Sequence, residues 1–188
     1  MRQRWIYVAV ALLLIAAAVI LFMRRGPSGP DVIDLVARFP DAEKRTTMPS
    51  LHEGFNVLDV DILGQTKRCI FAHPHSRIIW KVDIPERAKL TTAVALQMHV
   101  WDHNGDGALF RIGVSDGTNY TELFRKYLNP YRREEDRKWS PVELDLSKWG
   151  GQHVQVIFNT EPGEIGNAVN DACVWGNPRI VASAAESQ

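Results

Sequence analysis

At 188 residues the chain has room for one domain and an appendage. Lys+Arg and Asp+Glu both total 22, so no bulk charge steers it toward nucleic acid or a basic partner. Two cysteines, Cys69 and Cys173, are too few for a disulfide scaffold and lack zinc-ligand spacing.

The first element is an uncharged apolar run from Ile6 to Met23, IYVAVALLLIAAAVILFM. As a helix it spans roughly 27 Å, near the hydrocarbon thickness of a bilayer. Trp5 and Tyr7 stand at one end, where amphipathic rings favour the interface. A cleaved signal peptide is the alternative, but it wants small residues after the apolar region, where Phe22, Met23, Arg24 and Arg25 stand. Residues 1–25 therefore read as a single-pass transmembrane anchor with flanking arginines. Arg2 and Arg4 nearly balance Arg24 and Arg25 in the positive-inside count, and the short leading tail suits an N-terminus left inside. The expected location is the inner (cytoplasmic) membrane, with the C-terminal domain periplasmic or extracellular.

Residues 26–54 read as a linker. Gly and Pro in RRGPSGP stop the helix and give a semi-extended tether. Asp31 to Arg38, DVIDLVAR, is expected as a short helix capped by Asp31 and ended by Pro40, with polar, irregular chain after it.

From Phe55 the texture changes to short β runs punctuated by turn residues. Strands are expected over 55–63, 68–72, 77–84, 90–100, 108–116, 121–128, 141–147, 153–161 and 172–181. In RIIWKVDI, Ile78, Trp80, Val82 and Ile84 share one face while Arg77, Lys81 and Asp83 take the other. Val154, Val156 and Phe158 repeat the pattern. Such alternation puts one face in a core and one in water, as in antiparallel sheets. HNGDG (103–107), SDG (115–117) and WGG (149–151) supply turns that accept positive φ. The expected fold is an all-β, two-sheet antiparallel sandwich over 55–182, with a polar tail at 183–188.

Four stretches now stand in order: AHPHSRIIWKVDIP, GDGALFRIGVSDG, RKWSPVELDLSKWGGQHVQVIFNTEPG and NDACVWGNPRI. Together they resemble the galactose-binding-like jelly-roll domains, akin to carbohydrate-binding modules, of bacterial envelope and secreted proteins. The resemblance implies a jelly roll of non-catalytic type, often attached to enzymes that act on glycans. Trp139, Val142, Leu144, Leu146, Trp175 and Pro178 read mainly as fold determinants within it.

DHNGDG places Asp102, Asn104 and Asp106 as at the start of an EF-hand loop, but the twelfth position is Gly113 and a strand follows. A structural Ca2+ held there is one expectation and an acidic turn the other; Asp171 with loop oxygens is a second candidate. His73 and His75, with His99 or His103, offer a metal set whose spacing in the fold the sequence leaves open. For a glycan, aromatic rings beside turns matter most. Trp101, Tyr131 and Tyr120 are the candidates, with Arg132 and Arg133 available to an anionic substituent. A disulfide between Cys69 and Cys173 suits an oxidising compartment, and two buried free thiols are the alternative. No G-x-S-x-G motif or triad order points to hydrolysis. The expected function is non-catalytic binding of a carbohydrate or glycoconjugate, with docking of a separate envelope enzyme as the alternative.

Overall fold

The computed structural model describes residues 32–182; the apolar run at 6–23 and the tail at 183–188 lie outside them. Among the described residues no helix is long and apolar enough to cross a membrane. The strands are β1 (Val32–Asp34), β2 (Glu43–Thr46), β3 (Phe55–Ile62), β4 (Gln65–Ala72), β5 (Ser76–Asp83) and β6 (Ala88–Leu96). They continue with β7 (Ala108–Ser115), β8 (Tyr120–Leu128), β9 (Ser140–Asp145), β10 (His153–Pro162) and β11 (Cys173–Ala182). One sheet runs β3-β4-β11-β6-β9, with β1 also paired to β11; the other runs β2-β5-β10-β7-β8.

All pairings are antiparallel, and the alternation seen in the sequence sets the inner faces. Ile78, Trp80 and Val82 of β5 and Val154, Val156 and Phe158 of β10 are buried, each at or below 2% exposure. They meet β11 across the sandwich. Trp175 lies 4.5 Å from Phe158 and 5.0 Å from Phe110 between ring centroids, and Trp80 is 5.0 Å from Phe158. The Trp175 indole N–H donates to Thr160 Oγ1 at 3.0 Å, whereas the buried Trp80 indole N–H has no hydrogen-bond partner.

The stretch expected as linker and short helix is, from Val32 on, part of the sandwich. Val32, Ile33 and Asp34 pair with Val181, Ile180 and Arg179, and the turn after them buries Leu35 and Phe39 in the core. An adjacent open edge on β11 outweighs weak helix propensity in a run this short. Glu43–Thr46 likewise pairs with β5 instead of being irregular, and Leu51–Gly54 forms a single helical turn (α1) capped by Ser50.

HNGDG is not a hairpin turn. It lies in the connection from β6 in one sheet to β7 in the other, so the chain crosses between sheets at that end. Gly107 there has φ +83°, and a Cβ on it would meet the Leu128 carbonyl oxygen. SDG does form the β7–β8 hairpin, closed by Asp116 N–H to Asn119 O and by the Asp116 carboxylate accepting from Thr118 and Asn119 N–H.

Cys69 and Cys173 are free and buried, the thiol state of the two that the sequence left open. Cys69 stands opposite Gly176, three residues beyond Cys173 on β11. That odd offset turns the two side chains to opposite faces of the sheet. Burial pushes the Cys69 thiol up to about 12 and Cys173 up as well, so neither carries thiolate at neutral pH.

Candidate functional site

The residues chosen from the sequence divide between two ends of the molecule. At the β6–β7 end, Trp101 is 6% exposed and its indole N–H donates to Leu96 O at 2.8 Å. It is a plug under the loop and offers no stacking face, since a ring beside a turn packs inward when its N–H finds a carbonyl there. Arg137 covers it, donating to Trp101 O and Asp102 Oδ1 at 3.1 and 2.8 Å. Arg133 is occupied too, paired with buried Asp136 at 2.7 Å and stacked 4.9 Å over Tyr127. Tyr131 and Arg132 remain exposed in the same loop.

The three proposed metal ligands do not converge. Asp102 is exposed and bound to Arg137, Asn104 is exposed, and Asp106 turns inward at 5% exposure. Asp106 Oδ2 accepts from Ile165 and Asn167 N–H at 3.0 and 3.3 Å, while Oδ1 has no partner. Beside it, Asp171 is 3% exposed and neither carboxylate oxygen has a hydrogen-bond partner. Burial, then the charge of Asp106, pushes the Asp171 carboxyl up to about 7. The Val169 and Asn170 carbonyl oxygens and Asp171 Oδ1 all crowd Gly105, so three oxygen atoms of the β10–β11 connection lie against the loop before β7. Three carboxylate oxygens, Asp106 Oδ1 and both of Asp171, are thus buried in this loop crossing without a hydrogen-bond partner. His73, His99 and His103 line a groove of 300 Å³ next to Asp171, whereas His75 lies elsewhere. Among the described residues no three His, Cys, Asp or Glu side chains converge as a metal set.

The richer arrangement is the outward face of the β2-β5-β10-β7-β8 sheet. Strand register places Arg45 opposite Arg77, Arg77 opposite Asn159, Asn159 opposite Arg111, and Arg111 opposite Arg125. One polar row thus crosses the whole sheet, on the side away from Trp80, Phe158 and Phe110. The next row inward along the strands is Ile79, Ile157 and Gly113, an apolar floor with both isoleucines 6% exposed.

Tyr120, at the start of β8, lies over that floor. A Cβ on Gly113 would overlap its ring, so glycine is what lets the phenol end of the ring pack this close to β7. The ring is 45% exposed. Partial burial pushes its phenol pKa up, and the charges of Arg111, Glu122, Arg77 and Glu161 all reach it.

The row is held by its own bonds. Arg111 Nε donates to Glu122 Oε2 at 2.5 Å and its Nη1 to Glu161 Oε1 at 2.7 Å. Arg125 also grips Glu122 at 2.8 Å, and these bonds, Arg125 first, hold the Glu122 carboxyl below its usual range. Arg45 pairs with Glu43. Arg77 Nε donates to the Asn159 amide oxygen at 2.7 Å, with Asn159 only 4% exposed. Beside Arg77 opens a groove of 420 Å³ lined also by Arg45, His75, Asn159 and Glu161. Of this cluster the sequence named only Tyr120. The signal for the rest was the outward register of Arg77 in RIIWKVDI, which has meaning only once β2, β10 and β7 are aligned with it.

Comparison with known structures rests on this sandwich. The chain is similar to a structure of the M60 catalytic domain with its CBM51-1 and CBM51-2 domains from Clostridium perfringens ZmpB. There the TM-score is 0.57 at 13% identity, over 81% of this chain and 15% of that one. It is similar over 80% of its length to 99% of CBM51 from Clostridium perfringens GH95, solved with methyl-galactose, at TM-score 0.53 and 13% identity.

The fold is that of the carbohydrate-binding modules.

A third, TmCBM61 with beta-1,4-galactotriose, matches at TM-score 0.50 and 11% identity, over 77% of this chain and 90% of that one. At these identities the likeness shows the two-sheet β-sandwich fold alone. No family model matches the chain. A protein of Archaeoglobus fulgidus described as uncharacterized is 36% identical over 126 residues, 63% of this chain. The chain spans 32% of that relative's length.

Proposed function

We propose that the described domain is a non-catalytic glycan-binding module whose site is the outward face around Tyr120, Arg77, Asn159 and Arg111. The observation that carries this is the half-exposed Tyr120 ring, packed against Gly113 beside a fixed row of guanidinium, amide and carboxylate groups. Such a ring stacks on the C–H face of a sugar, and planar polar side chains take its hydroxyls in pairs. The fold neighbours support the reading, because two of them were solved holding galactose-type ligands.

The test is a glycan array probed with the full chain in a detergent lacking a sugar headgroup. Binding to a defined glycan, reduced about tenfold or more in Tyr120→Ala, is expected. Silence of the folded wild type across a broad array overturns the reading. That outcome would turn attention to the second one, a protein-docking scaffold for a separate envelope enzyme, favoured by Ile165 and Val169, which stand 76% and 63% exposed in one loop.

Two further parts belong to this reading. Ile6–Met23 tethers the module to the inner membrane with the domain outside, which membrane fractionation with alkaline extraction checks. Asp106 and Asp171, with the neighbouring loop carbonyls, hold a structural calcium ion, which supplies positive charge to two buried carboxylates and ties the 163–170 loop to the start of β7.

A further inference from the structure

Arg77 differs from every other arginine on its face in where its charge goes. Arg45, Arg111 and Arg125 each lie within 2.8 Å of a glutamate. Among the described residues no carboxylate lies within 4.0 Å of Arg77, and its one side-chain bond is Nε to Asn159 Oδ1. That bond leaves both terminal nitrogens without a protein partner. It also orients the fork, because Asn159 is buried and fixed on the central strand β10. Arg77 is exposed, and the groove beside it is lined also by Arg45, Thr46, His75 and Glu161, whose carboxylate is paired with Arg111.

A pre-oriented, unneutralised guanidinium fork at the mouth of a polar groove matches a planar carboxylate or a sulfate group, which it meets with two parallel N–H donors. A neutral hydroxyl uses only one of those donors and leaves the charge unanswered. The remaining glutamates do not oppose an anion at this point, since Glu43 is spent on Arg45, and Glu122 and Glu161 on Arg111. Tyr120 and Arg77 sit on strands three positions apart in the sheet, roughly 14 Å, so a stacked sugar and an anion-bearing one belong to the same oligosaccharide.

We infer that this face selects acidic glycans, with the Arg77 fork receiving a carboxylate or sulfate group of the chain whose neighbouring residue stacks on Tyr120. This rests on the glycan-binding reading of the same face.

The experiment is calorimetric titration of the full chain with three oligosaccharides of equal length: a galacturonate, a sulfated galactan and a neutral β-1,4-galactan. Each is measured at about 50 and about 500 mM salt, with Arg77→Gln and Arg77→Lys alongside. At least one acidic probe is expected to bind about tenfold or more tighter than the neutral one at low salt, the advantage shrinking at high salt. Arg77→Gln is expected to bring the acidic-to-neutral ratio close to one, and Arg77→Lys to keep part of it, since an ammonium retains charge without the fork. Which acidic probe wins distinguishes carboxylate from sulfate. An equal affinity for the neutral probe, or an unchanged ratio in Arg77→Gln, overturns the inference and leaves the module reading standing. Failure of all three to bind to a folded chain overturns both.

Discussion

Gly113 and Tyr120 form the smallest unit on which the proposed function depends. Adding one methyl at Gly113 places a carbon inside the space of the Tyr120 ring, whose atoms are the nearest to that position. Gly113→Ala should therefore lift the ring off β7 and weaken glycan binding by about the same factor as Tyr120→Ala, while costing only about 1–3 kcal/mol of stability. Calorimetry paired with thermal melts checks both halves. Asp171 offers a second residue-scale prediction, on pH. Its folded pKa is raised from 3.8 to about 7, so the folded apo protein holds a proton that the unfolded chain releases. The stability linked to it is fully present below about pH 4 and is lost as pH rises through about 7. Glu122, Asp116 and Asp145 have lowered pKa values and act in the opposite direction. The difference between wild type and Asp171→Asn in chelator isolates the effect. Melting temperature of the wild type should fall relative to that variant between about pH 4 and 7. A constant gap would place Asp171 in a less desolvated setting than the fold gives it.

Elements show where the sequence could and could not be read. The nine strands from β3 to β11 fall within a few residues of their expected spans, because several carry clean apolar alternation and turn residues punctuate the rest. β1 and β2 hold only three and four residues, and EKRT in β2 has no apolar face at all. Their pairing is decided by the free edges of β11 and β5, which no local pattern reveals. The arginine row was illegible for the same reason. Arg45, Arg77, Asn159 and Arg111 are scattered along the chain and meet only through strand register. Trp101 packs inward, and turn proximity says nothing about which way an indole points. If β1 and its turn are integral, truncating Leu35 must cost what a core residue costs. Leu35→Ala should destabilise the full chain by about 2–5 kcal/mol in chemical unfolding, whereas a tether residue would shift it by less than about 0.5.

The whole molecule separates stability from recognition along one strand. Asp106 stands just before β7, in the loop that meets Asp171 and the 163–170 segment, while Tyr120 packs against the far half of that strand. Six residues lie between Asp106 and Gly113, five of them in β7, roughly 20 Å of extended chain. Between the two ends runs the aromatic core of Trp80, Phe110, Phe158 and Trp175, rigid enough that an ion at one end need not alter the face at the other. A calcium ion binding only the folded state raises the melting temperature by mass action, without touching the sugar site. Added calcium should therefore stabilise wild type and Tyr120→Ala equally and leave Asp171→Asn unmoved, with magnesium far less effective because two carboxylates and loop carbonyls do not make a tight octahedron. If Tyr120→Ala lost the calcium response, the two sites would be coupled through β7, and the acid pair would have to be counted as part of the recognition face.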